Sequence, residues 1–182
     1  MKIFAETERL ILREILPSDA DKMFELDSDP EVHRFLGNDP VKNINQITDA
    51  IQFIRQQYID NGIGRWAIVS KSTDEFIGWA GLKFVTELTN HHKDYYDLGY
   101  RLIRKHWGNG YATEAAVASL KYAFEKIGTV EVFAMAETEN INSINILKKS
   151  GFRWIEKFDL DGIEHLWFQI KKTDFENQSE EK

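Results

Sequence analysis

At 182 residues, with 42% hydrophobic and 29% charged side chains, the chain has the length and composition of one folded domain rather than of a disordered segment. A formal charge of −7 argues against general nucleic-acid binding, which needs a basic face, and zero cysteines exclude disulfides, thiolate metal sites and a cysteine nucleophile. No apolar run is long enough to cross a bilayer, and Met1 to Arg13 alternates charged and apolar residues unlike a secretory leader, so a cytoplasmic protein is expected.

In chain order, Arg9 to Ile15 predicts a mostly buried first strand. Pro17-Ser18-Asp19 then opens a helix, with Ser18 the expected N-cap and Ala20, Met23, Phe24 and Asp27 on one face. Ile44, Ile47, Ile51, Ile54 and Tyr58 follow helical spacing as far as Gly62. Arg65 to Ser70 and Phe76 to Val85 predict two strands joined at Thr73-Asp74-Glu75, with Gly78 and Gly81 marking a bulge or close backbone approach. A polar loop, Thr86 to Lys93, leads into a strand over Asp94 to Ile103. Tyr111 to Ile127 predicts a helix with Ala115, Ala116, Leu120, Ala123, Phe124 and Ile127 as its apolar positions. Thr129 to Ala136 is a β-rich run, and Asn140 to Ser150 a helix stopped by Gly151. Phe152 to Leu160 and Ile163 to Ile170 form a hairpin through Asp161-Gly162. Thr173 to Lys182 is polar and is expected to be a loose tail, which leaves a domain over residues 1–172. This order predicts an α/β domain, a mixed sheet covered by helices.

The connection Arg104-Lys105-His106-Trp107-Gly108-Asn109-Gly110-Tyr111 carries the clearest chemistry. Two glycines let the backbone turn sharply and come close to a ligand. The first N–H groups of the following helix have no partner within it, and the dipole adds about half a positive charge there. That is a cradle for an anion, with phosphate its usual guest, and Arg104, Lys105 and His106 are expected to add cationic character. The Walker and dinucleotide fingerprints do not fit, since no Gly-Lys-Ser/Thr follows and a third glycine is missing.

The longer string Trp107-Gly108-Asn109-Gly110-Tyr111-Ala112-Thr113-Glu114-Ala115 resembles the acyl-CoA pyrophosphate loop of the GCN5-related N-acetyltransferases (GNAT). Trp107, Gly110 and Ala112 fill that pattern's key slots, with Trp107 departing from its more general Arg or Gln. Thr7-Glu8-Arg9-Leu10-Ile11-Leu12-Arg13, followed by Ser28-Asp29-Pro30-Glu31-Val32, resembles the opening of the ribosomal-protein (RimJ/RimL-like) branch. The resemblance covers roughly Thr7 to Lys171. It implies a single-domain GNAT-type fold, a mixed and mostly antiparallel sheet of about seven strands flanked by about four helices. It also implies acetyl-CoA as co-substrate, no metal, and an amine acceptor. Cofactor contacts are implied at Leu102, Ile103, Trp107, Gly108, Asn109, Gly110, Tyr111, Ala112 and Thr113. A second segment, Asn140 to Phe152, adds Asn140 against the pantetheine arm, Ser143, and Lys148.

Asn140 and Ser143 open a helix and equally suit capping. Many GNAT members place a tyrosine at the Leu147 position to protonate the leaving thiolate. Its absence here passes that role, by resemblance, to Ser143. Acetyl transfer also needs a neutral amine, which at pH 7 costs about 4.6 kcal/mol for a lysine and about 1–1.4 for an α-amine. Candidate bases are Asp97, in Asp97-Leu98-Gly99-Tyr100, and Glu137 at the end of the next strand. Strand alternation puts Asp97, Gly99 and Arg101 on one face; a solvent-facing Asp97 is the other reading. Glu164 is not assigned, because the register around Asp161-Gly162 does not align with the branch. His33, His91, His92, His106 and His165 lack metal-ligand spacing. Trp66 and Trp79 suit either the core or a substrate groove. Lys121, Lys148 and Lys149 suit either a nucleotide phosphate or a solvated helix face.

The expected function is direct acetyl transfer from acetyl-CoA to a primary amine of a protein N-terminus or small molecule. The alternative is a non-catalytic acyl-CoA-binding sensor, favoured by the absent tyrosine. The acceptor is unidentified, no membrane partner is expected, and the protein is expected to be a monomer or homodimer.

Overall fold

The computed structural model describes residues 1–180. Its elements are β1 (Ile3–Glu6), β2 (Leu10–Glu14), a 3-10 turn (Pro17–Asp19), α1 (Ala20–Asp27), α2 (Pro30–His33) and α3 (Ile44–Asn61). Then come β3 (Arg65–Ser70), β4 (Phe76–Val85), β5 (Tyr95–Leu102) and α4 (Tyr111–Tyr122), which runs into a π-helical turn (Ala123–Ile127). The chain ends with β6 (Glu131–Glu137), α5 (Ile141–Lys149), β7 (Arg153–Leu160), β8 (Ile163–Lys171) and α6 (Lys172–Glu180).

The strands form one mixed sheet in the order β1-β2-β3-β4-β5-β6-β8-β7. All neighbours are antiparallel except β5 and β6. The helix α4 connects those two strands as a crossover, which is what a parallel pair requires. Their register contains a single pair, Asp97 opposite Phe133. Beyond it the two strands part, and backbone N–H and C=O groups on their facing edges lose ladder partners. This gap positions the site.

Alternation along β3 shows how the core divides. Trp66 and Ile68 join Leu10, Leu12, Leu98 and Leu102 under α4 and α5, whereas Ala67 joins Met23, Leu26, Ile47 and Ile51 under α1 and α3. Side chains of this size contribute about 1.5–3 kcal/mol each when fully buried.

Three details depart from the sequence expectations. The short strand β1 precedes β2 and pairs with it as the edge of the sheet; four residues are too few to display a period. Ser18 lies inside the 3-10 turn, and the carboxylate of Asp19 accepts the Leu16 N–H at 2.8 Å instead. The polar stretch after Lys171 is helical as far as Glu180, where Phe175 meets Phe124 at 5.3 Å between ring centroids. One aromatic anchor holds an otherwise polar helix. The last two residues of the expected tail, 181 and 182, lie outside the described residues.

Candidate active site

A cavity of about 1140 Å³ opens where β5 and β6 separate. Asp97, Tyr100, Glu137, Asn140 and Ser143 line it, together with Trp107, Gly108 and Gly110 to Thr113. The structure thus gathers most of the sequence candidates around one space.

The loop into α4 is built by left-handed glycines, Gly108 at φ 77° and Gly110 at φ 79°. Trp107 is tethered by its indole Nε1, which donates to the Leu102 carbonyl at 2.8 Å, so its ring marks the end of β5. From outside, Arg9 braces the loop. Its Nη1 donates to the Asn109 carbonyl at 2.9 Å, its Nε donates to Glu114 at 2.6 Å, and its guanidinium lies over the Tyr111 ring at 4.6 Å. Burial alone would raise the Glu114 pKa, but hydrogen bonds from Thr7 and Arg9 bring it below the usual carboxylate value.

Helix α4 starts at the cavity without a side-chain cap. Asp29, Asn43 and Asn140 cap α2, α3 and α5 with side-chain oxygens. No side chain caps α4, whose first three residues, Tyr111, Ala112 and Thr113, line the cavity. Their N–H groups lack helical acceptors, so an acidic diphosphate fits this end.

The flanking cations do not strengthen it as expected. Arg104 Nε pairs with Asp29 at 3.1 Å and Lys105 Nζ with Glu75 at 2.6 Å. His106 is pushed by burial, then by the charge of Lys105, below the usual imidazole value. Attraction for an anion therefore rests on backbone N–H groups. Three residues assigned to the cofactor do not line the cavity. Ile103 is buried in the core beneath α1 and α3. Asn109 donates its Nδ2 to the His106 and Trp107 carbonyls at 3.2 and 3.1 Å, shaping the loop from within. Lys148 is turned to another part of the α5 surface, while its neighbour Lys149 borders the cavity.

On the opposite face of the sheet, Asp97, Gly99 and Arg101 share a side as alternation required. Asp97 is neither solvent-facing nor free. It is buried, and Arg65 Nη2 pairs with its Oδ2. Burial pushes its pKa up, with the Arg65 guanidinium opposing. Arg101 pairs with Asp27 at 2.5 Å, and both arginines flank the Trp79 ring, at 5.6 and 5.0 Å. Trp79 therefore borders the cavity, whereas Trp66 is wholly core. Glu137 has a carboxylate with no ion pair or hydrogen bond among the described residues, and His165 stands opposite it on β8. The His165 Nδ1 lies 2.9 Å from the Ile163 carbonyl, which can only accept, so Nδ1 is the donor in that contact.

Asn140 does cap α5, its Oδ1 accepting the Ser143 N–H at 3.1 Å, and its Nδ2 makes no hydrogen bond among the described residues. Ser143 itself is not the cap. Its Oγ lies 3.0 Å from the hydroxyl of Tyr100, which local sequence marks only as the last residue of Asp97-Leu98-Gly99-Tyr100. Among the described residues no cluster of three acidic, histidine or cysteine side chains is placed to hold a metal, and no helix is long and apolar enough to cross a membrane.

The sequence profile of the Acetyltransferase (GNAT) domain matches residues 9–153. The chain belongs to the GNAT acetyltransferase family. An uncharacterized N-acetyltransferase, p20 of Bacillus licheniformis, is 35% identical to this GNAT chain over 147 residues, 81% of this chain and 80% of the relative. A GNAT-family acetyltransferase from Bacillus anthracis superposes with TM-score 0.78 at 21% identity, over 95% of this chain and 99% of the other. Spermidine N-acetyltransferase from Vibrio cholerae, solved with CoA and spermine, superposes with TM-score 0.75 at 16% identity, over 94% and 100%. The α/β GNAT fold and an acyltransferase activity follow for this protein.

Proposed function

We propose that this GNAT chain uses acetyl-CoA and moves the acetyl group directly onto a primary amine, without a covalent enzyme intermediate. The observation that carries the reading is the uncapped start of α4, opening into the same cavity as the β5–β6 gap. The presence of CoA on the same fold in the Vibrio cholerae structure supports it. Bound acetyl-CoA would supply a thioester carbonyl, activated toward an amine.

The chain's own groups then have separable tasks. The N–H groups of Tyr111, Ala112 and Thr113 hold the pyrophosphate, and Asn140 Nδ2 orients the pantetheine arm. Backbone N–H groups on the β5–β6 edges, beyond the single ladder pair, would serve as the oxyanion donors. Glu137 accepts the proton of the incoming ammonium, directly or through a water. Ser143 meets the departing sulfur. Asp97, held by Arg65, shapes the acceptor wall and is not the base. The acceptor is an amine of a protein N-terminus or small molecule, and an α-amine demands the weaker base. We assign the chain to the ribosomal-protein branch of the family from its opening segment, with residues 1–172 as the catalytic domain and the cytoplasm as its compartment.

Thiol release from acetyl-CoA against a panel of amines, with calorimetric binding in parallel, tests this reading. Binding with turnover on at least one amine is expected. Binding with no turnover on peptides, amino acids, polyamines and aminoglycosides would make the protein an acyl-CoA sensor.

A further inference from the structure

Tyr100 on β5 reaches across the cavity to Ser143 in the first turn of α5. Its Oη lies 3.0 Å from the Ser143 carbonyl oxygen and 3.0 Å from Ser143 Oγ. The carbonyl can only accept and the phenol has one proton, so two arrangements share these positions. In the first, Tyr100 donates to the carbonyl and the serine hydroxyl donates back to Tyr100, closing the pair on itself. In the second, Tyr100 donates to Ser143 Oγ, and the serine proton turns outward into the cavity. Exchange between them rotates two O–H bonds and moves no heavy atom.

The surroundings fix this pair and keep it protonated. Asn140 Oδ1 holds the Ser143 N–H, and Tyr100 packs against the core beneath α4 and α5. Burial pushes the Tyr100 phenol well above its ordinary value, with the Ser143 hydrogen bond opposing. The phenol is thus a hydrogen-bond donor across the working pH range and not a source of protons.

We propose that Tyr100 is a positioning residue for thiolate departure, turning the Ser143 hydroxyl toward the sulfur that leaves during acetyl transfer. This rests on the acetyl-CoA reading above. In the step, the C–N bond forms at the acetyl carbon, the C–S bond breaks, and its electron pair stays on sulfur. The incoming ammonium first gives one proton to Glu137 and attacks as the neutral amine. The second proton, shed by the nitrogen as it becomes an amide, passes to water or onto the departed sulfur, and Tyr100 and Ser143 each retain theirs. Charge growing on sulfur favours the outward arrangement, because a hydrogen bond to an anion is stronger than one to a neutral oxygen. The Tyr100 donor polarises the serine O–H further, as in any short hydroxyl chain. A lone serine would lack both the orientation and the polarisation.

Tyr100→Phe, Ser143→Ala, the double variant and Ser143→Thr test this. Tyr100→Phe is expected to lower kcat about tenfold, near one hydrogen bond's worth, with KM for acetyl-CoA unchanged. The double variant should be no worse than Ser143→Ala, because both changes act through one hydroxyl. A second readout needs no turnover: the thiol of bound CoA, followed by thiolate ultraviolet absorbance, should titrate lower than free CoA in the wild type. Tyr100→Phe and Ser143→Ala should both move that titration back up, and Ser143→Thr should keep it low. Additive losses in the double variant, or an unmoved titration in a folded Tyr100→Phe protein, would overturn the proposal. Should Tyr100→Phe not fold, an unmoved titration in Ser143→Ala overturns it equally. Absence of CoA binding by the wild type would remove the acetyl-CoA reading itself, whereas intact binding with an unmoved titration removes only this inference.

Discussion

Arg65 lies across Gly99 to reach Asp97. A Cβ added at Gly99 would come within 2.8 Å of the guanidinium carbon, so the missing side chain is what admits the arginine. Its Nη1 also donates to the Gly81 carbonyl at 2.5 Å and to the Asp97 carbonyl at 2.8 Å. A carboxylate so engaged, with both partners mostly buried, is part of the wall.

Asp97→Asn therefore strands a buried guanidinium charge. The expected cost is about 3–5 kcal/mol of unfolding free energy, measured by urea denaturation, with partial recovery on adding Arg65→Met. Activity per folded molecule should change by the same factor at every pH. An Asp97→Asn protein of wild-type stability, whose lost activity returns as pH rises, would make Asp97 the base after all.

Gly110 makes the sharpest test of the anion cradle. An added Cβ there meets only Arg9 Nη2, at 3.5 Å, so a substitution acts through backbone strain and not through a clash. A β-branched residue at φ 79° costs about 1–2 kcal/mol or more, enough to displace the loop. Gly110→Val should weaken CoA binding by about tenfold or more on the same scale. Lys149→Ala, at the cavity edge, should cost less, and Lys148→Ala nothing measurable. A calorimetric titration ranking the lysines above the glycine would locate the phosphates elsewhere.

Most of the architecture was legible from periodicity, and the cradle from its glycines. What escaped the sequence were pairings between distant residues. Nothing local tells that Arg9 holds Glu114, that Arg65 engages Asp97, or that Arg104 and Lys105 are neutralised by Asp29 and Glu75. Tyr100 was visible as a letter in a motif, and alternation already set it on the face opposite Asp97. Only the placement of α5 brings its hydroxyl to Ser143. β1 and α6 were missed for a related reason, since each is held by tertiary contact and not by a pattern of its own.

Buried histidine adds an acid-side dependence to stability. Neither ring nitrogen of His33 has a hydrogen-bond partner, and Asp27 Oδ1, 3.6 Å away, is already bound by Arg101. Burial, then the Arg101 charge, lowers its pKa from 6.5, and burial lowers His106 likewise. A depressed folded-state value means that the unfolded chain binds the proton first. The stability is fully present above pH 6.5 and is lost as pH falls through the lowered values. The melting temperature should drop between pH 7 and pH 5, and His33→Leu should flatten part of that slope. A His33→Leu protein with the full wild-type slope would assign the acid sensitivity to other groups.

Glu137 is where mechanism and acceptor class meet. It ends β6 at the mouth of the gap, lines the cavity, and carries no compensating cation among the described residues. A cationic amine docking there finds a carboxylate to receive its proton. Glu137→Gln keeps the size and hydrogen-bonding shape but removes basicity, so kcat/KM near neutral pH should fall by about 10²-fold, the low end of general-base effects. The deficit should shrink as pH approaches the acceptor's own pKa, because solvent then supplies the neutral amine. His165, which pairs with Glu137 across the ladder, is the control. If His165→Gln shows the pH-dependent deficit and Glu137→Gln a constant one, the imidazole is the base and Glu137 supplies docking charge. If both variants lose the same factor at every pH, neither removes the proton, and a water held between them becomes the group to trace.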